Sequence, residues 1–98
     1  MAEEKRAGDN IIFVGDKPFM NYVTGVVMQF TTHGANEVII KSRGRFISRA
    51  VDIAEVVRKK FLKDQVGLGD IKIDSEEFKN KEGRQVNVST MEIFLKRK

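Results

Sequence analysis

Lys41-Ser42-Arg43-Gly44-Arg45 is the stretch of this sequence best equipped to do chemistry. Three cations fall within five residues. Each arginine can fork two N–H donors onto one phosphate. Gly44 lets backbone come close to an anion, and a helix starting just after it would aim free N–H groups the same way. The competing reading is a solvated turn with ordinary surface arginines; the clustering favours anion binding. Charge along the 98-residue chain sharpens this. The net charge is +4, yet residues 41–63 alone carry +6, while the flanking segments are neutral or slightly acidic. A concentrated patch points to an anionic partner more strongly than a diffuse excess would.

Catalysis finds no such support. There is no cysteine, which excludes thiolate chemistry and cysteine-based metal sites, and the single histidine, His33, suits a helix C-terminus. No serine or carboxylate has a base at recognisable spacing, and Asp70, Asp74, Glu76 and Glu77 do not follow a calcium-loop pattern. A non-enzyme without cofactor or metal is expected. No run reaches the ~18 apolar residues of a membrane span, and the charged start of the chain lacks a signal-peptide core, so a cytoplasmic protein is expected.

The elements that must position the basic stretch follow from apolar spacing. Residues 1–9 read as a flexible charged arm, and residues 10–98 as one domain. Asn10–Val14 is a short buried strand. Pro18 suits the first position of a helix, and Phe19, Met20, Val23, Val26, Val27 and Phe30 repeat at helical period. Gly34 ends it as a left-handed cap. The other face, with Asn21, Thr24 and Gln29, carries no charge; it is either a plain solvated face or one that meets another macromolecule. Tyr22 lies at the stripe's margin, where it is either a core-edge residue or one that offers ring or hydroxyl to a nucleotide.

Glu37–Lys41 reads as a second strand, and residues 42–45 as a basic turn. Ile47, Ala50, Val51, Ala54, Val57 and Phe61 give a second helical stripe, with Val56 off it as a hint of a partner subunit. Residues 65–69 read as a loop, 70–74 as a strand, 76–83 as a charged turn and 85–96 as a long last strand. In that strand Val86 and Val88 are out of phase with Met91, Ile93 and Leu95, which predicts a bulge near Ser89-Thr90. Lys79, Lys81 and Arg84 then form a basic hairpin tip able to enter a nucleic-acid groove, or simply a solubilising turn. The order β-α-β-α-β-β gives an α+β two-layer sandwich: a four-stranded mixed sheet, two helices on one face and a long C-terminal hairpin arm. In such an order both strand-to-helix loops leave one sheet edge, so Lys17 would join the 41–45 cluster.

Three segments together resemble the Alba chromatin proteins of archaea: Gly15–Val23, Ile39–Asp52 and Gly83–Ile93. The resemblance covers nearly the whole chain. It implies a homodimer that binds double-stranded DNA with little sequence preference, binds RNA as well, and associates with the chromosome in the nucleoid. It implies body contacts to nucleic acid from Lys17, Arg43 and Arg45, with Asn21 and Tyr22 beside them, and arm contacts from Arg84 and its neighbours; with Lys41 from the basic stretch, Lys79 and Lys81 from the tip and Asn87 on the arm, these are the candidate nucleic-acid-binding residues. It places Phe61 where neighbouring dimers meet along DNA. Many relatives carry two lysines after the first glycine, and their acetylation implies an acetyltransferase and a deacetylase as further partners. Here the pair is Asp16-Lys17, leaving Lys17 as the single candidate. Asn87 stands where some relatives are basic.

Overall fold

A computed structural model describes residues 10–98, so the charged arm expected at 1–9 lies outside the described residues. The elements follow the expected order: β1 (Ile11–Phe13), α1 (Phe19–Thr31), β2 (Glu37–Arg43), a 3₁₀ turn (Gly44–Phe46), α2 (Ile47–Val56) extended by a π turn (Val57–Phe61), β3 (Val66–Lys79) and β4 (Gln85–Arg97). The sheet order is β1-β2-β4-β3, with β1 parallel to β2 and the other pairs antiparallel. Alternation in β2 and β4 explains the layering. Val38, Ile40, Ile93 and Leu95 point to one face and are buried beneath Val23, Val26, Phe30, Ile53 and Val57 of the helical layer. Each such side chain withdrawn from water contributes roughly 1.5–3 kcal/mol.

The helix boundaries show where local chemistry departs from the stripe. Pro18 is the N-cap of α1, not its first residue, with φ −54° and ψ 141° and no side-chain cap bond. Gly34 takes φ +69°, the left-handed geometry expected of it. The second stripe does not run on to Phe61. Leu62 N donates to Val57 O at 2.8 Å, an i→i+5 bond, and the extra residue turns Phe61 outward to 49% exposure. Val56, expected off the stripe, is half-buried against the core.

The strands are longer than their local sequence suggests, because each is extended by its neighbour. Ser42 and Arg43 stay in β2, opposite Met91 and Thr90 of β4. Val66–Gly69, expected as a loop, and residues 76–79, expected as a turn, belong to β3. The bulge is not at Ser89-Thr90, where pairing is continuous; it lies in β3, where Leu68 pairs with Leu95 and Ile71 with Ile93. One extra residue there lets both Leu68 and Ile71 face the helical side. Val86 and Val88 need no bulge, since β4 simply changes which face it covers on leaving the body: Val86 sits opposite Phe78, and Val88 lies beside Gly44. Beyond the helices the hairpin projects as an arm, and the molecule measures 46 × 32 × 24 Å.

Candidate nucleic-acid interface

Parallel pairing of β1 and β2 brings both strand-to-helix loops to one edge of the sheet. Phe13 pairs with Lys41, and Val14 N donates to Lys41 O at 2.9 Å. The loop carrying Lys17 and the turn carrying Arg45 therefore leave side by side. A direct bridge joins them: Arg49, in the first turns of α2, donates to Gly15 O at 2.8 Å and to Lys17 O at 2.7 Å.

The cations at this edge have different surroundings. Lys17 is exposed in its loop, and Asn21 is exposed in the first turn of α1 beside it. Gly44 takes φ +58°, which a residue with a side chain adopts only at a cost, and the chain can thereby turn from β2 into the 3₁₀ turn. Arg45 is exposed, with its guanidinium over the Phe46 ring at 4.4 Å from the centroid. Arg43 reaches Glu76 at 3.0 Å and lies 5.9 Å from the Phe78 ring centroid, so it braces the root of the arm. Lys41 lies on the helix-free face, 3.4 Å from Glu92 and 5.7 Å from the Phe13 ring centroid. Such half-exposed ion pairs are worth about 0–1 kcal/mol, so a phosphate can displace either carboxylate.

Tyr22 is a core residue: it is only 8% exposed, and its hydroxyl accepts hydrogen bonds from Gly15 N (2.9 Å) and Lys17 N (3.1 Å). Of the two readings open for it in sequence, the structure places it at the core edge, beneath the loop that bears Lys17.

The arm tip is built around Asn80, whose side-chain oxygen accepts from Glu82 N and Arg84 N at 2.9 and 3.0 Å. This Asx turn, with Gly83 at φ +81°, spreads Lys79, Lys81 and Arg84 around an exposed loop. Asn87 is exposed on β4 opposite Glu77. The arm as a whole is not basic: residues 74–88 hold three cations and four carboxylates, with the cations at the tip. Lys17, Asn21 and Arg45 thus lie on elements that leave the same end of the sheet, Lys41 and Arg43 share the helix-free face of β2 that runs to that end, and the tip cations stand apart on the hairpin. Sequence reasoning missed Arg49. Its only sequence signal is its membership of the +6 segment, since the carbonyls it bridges lie 34 and 32 residues away. Among the described residues no cluster of His, Asp and Glu could hold a metal ion.

This fold and edge define a two-layer α+β domain with a basic loop edge and a projecting hairpin. The chain belongs to the Alba family, whose sequence profile matches residues 10–75. It is 60% identical over 89 residues to the DNA/RNA-binding protein Alba of Methanocella arvoryzae, covering 91% of each chain. It is 61% identical over 88 residues to the protein of the same name from Nanoarchaeum equitans, covering 89% of this chain and 97% of that one. The solved structure of Alba from Thermoplasma volcanium superposes with a TM-score of 0.81 at 51% identity, over 90% of this chain and 100% of the other. A structure of ALBA1 from Trypanosoma brucei, 18% identical with a TM-score of 0.71, covers 94% of this chain and 72% of its own and shares the fold.

Proposed function

We propose that this chain binds double-stranded DNA without reading its sequence, and that as a homodimer it coats and compacts chromosomal DNA in the nucleoid. One observation supports the reading: the loop bearing Lys17 and the turn bearing Arg45 leave the same end of the sheet, where Arg43 ends β2 beside the root of an arm whose tip carries Lys79, Lys81 and Arg84. The names of the close relatives, DNA/RNA-binding proteins, support it. Cations on exposed turns suit phosphate neutralisation by counterion release, which is indifferent to base sequence. A body edge and a separate arm tip can engage the backbone at two places along a duplex.

A dimer fits the apolar surface that one protomer leaves uncovered. Leu68, Ile71 and Ile73 lie in a row on the sheet-edge strand β3 at 46%, 51% and 75% exposure, and Phe61 stands outward on the π turn for contact between dimers. Lys17 is the acetylation candidate, reachable by an acetyltransferase and a deacetylase at its exposed loop, with Asp16 already lowering the local charge.

RNA is the second reading, favoured by the relatives' names and by the charge-free exposed face of α1, where Asn21 and Thr24 can meet ribose hydroxyls. Binding of one labelled duplex DNA, one duplex of scrambled sequence and one structured RNA, measured across a salt series, separates the readings. Equal, steeply salt-dependent affinities for the two DNA duplexes, above that for RNA, are expected. A strong preference between the duplexes contradicts sequence-independent binding; a preference for RNA reverses the ranking of partners.

A further inference from the structure

We propose that Arg49 is a positioning residue for the nucleic-acid interface: together with the Tyr22 hydroxyl it clamps the Gly15–Lys17 loop, so that Lys17 presents its ammonium to a phosphate while Arg49 itself touches none. This rests on the reading of Lys17 as a phosphate contact. The clamp closes from two sides. From beneath, the Tyr22 hydroxyl accepts from Gly15 N and Lys17 N at 2.9 and 3.1 Å. From α2, Arg49 Nη1 and Nη2 donate to Gly15 O and Lys17 O at 2.8 and 2.7 Å. The arginine also lies 5.7 Å from the Tyr22 ring centroid, so the two halves of the clamp brace each other.

Three consequences follow. All four backbone polar groups of Gly15 and Lys17 have partners, so neither of these amides is offered to an anion, and Lys17 Nζ is the cation the loop presents. The half-buried guanidinium has two of its donors on carbonyls, which removes it from the set of exposed counterions. A planar fork that spans two carbonyls is a property of arginine; a lysine in its place keeps the charge but not the rigid span.

The test uses the full chain with a fluorescent DNA duplex across a salt series. The proteins are the wild type, Arg49→Lys, Arg49→Ala, Lys17→Ala and the Arg49→Ala/Lys17→Ala pair. Amide hydrogen exchange at Gly15 and Lys17 is followed without DNA, with Tyr22→Phe added. One phosphate contact contributes a slope of about 0.9 in log affinity against log salt, or roughly five-fold between 0.15 and 1 M. Arg49→Lys is expected to lose about that much despite its retained charge, and the pair to bind no more weakly than Lys17→Ala. Exchange at both amides should quicken in Arg49→Lys and Tyr22→Phe. Wild-type binding by Arg49→Lys overturns the proposal, as does a pair in which the two losses simply add, because Arg49 would then act as an independent charge. Unchanged exchange with a weakened Lys17→Ala overturns the clamp alone. Wild-type binding by Lys17→Ala instead removes the phosphate reading on which the proposal stands.

Discussion

The body edge and the hairpin arm both carry exposed cations, and they hold them in opposite ways. At the edge, the Lys17 loop rests on the core, with Tyr22 8% and Val14 7% exposed, and the turn bearing Arg45 is anchored by the half-buried Phe46. Long-range bonds from Arg49 cross the edge, and Gly44 fixes the turn before Arg45. In the arm, every residue from Asp70 to Gln85 is exposed, and order comes from the β3–β4 ladder and one Asx turn. The edge presents fixed charges. The arm presents its charges on an exposed two-stranded ribbon. Stability and positioning therefore sit in one region, and reach in the other.

Mutations should separate the two regions. The largest effect belongs to the core beneath the edge. Ile40→Ala, at a fully buried site, should cost about 2–5 kcal/mol in urea unfolding, whereas Ile73→Ala on the arm side of β3 should cost under ~1 kcal/mol in the isolated protomer. A cost at Ile73 that depends on protein concentration would report its burial in the proposed dimer, whereas equal costs at every concentration would mean that the arm is packed as tightly as the body. A smaller effect concerns the ion pair that ties the two together. Glu76→Gln removes the carboxylate 3.0 Å from Arg43, and duplex affinity should rise by roughly 1.4- to five-fold at low salt, in keeping with the ~0.2–1 kcal/mol of an exposed pair. Weaker binding would show that Arg43 needs Glu76 to hold it in place.

How much of this was legible in the sequence depended on how local the cause was. The two helices, the left-handed Gly34 and the order of elements follow from spacing along a few turns. The common edge of the Lys17 and Arg45 loops follows from β-α-β-α order. What escaped was set by partners distant in sequence. β2 runs on through Arg43 because β4 pairs with it, and the bulge sits at Leu68–Ile71 because β3 must match β4 across the sheet. Arg49 looks like any surface arginine until the fold brings Gly15 and Lys17 beneath it. Tyr22 was ambiguous for the same reason: its hydroxyl is satisfied by loop amides five and seven residues back, a use that periodicity does not encode.

The proposed reading assigns more of the duplex binding to the cations of the body edge than to those of the arm tip. It is tested most directly by comparing two triple variants in salt-dependent duplex binding: Lys17→Ala/Arg43→Ala/Arg45→Ala at the edge, and Lys79→Ala/Lys81→Ala/Arg84→Ala at the tip. Three lost contacts per protomer correspond to a slope reduced by about 2.7. The edge variant should approach that value with every duplex sequence tried, while the tip variant should fall clearly short of it, because its cations share the arm with four carboxylates. An unchanged slope in the edge variant, or a larger loss from the tip, would contradict the account.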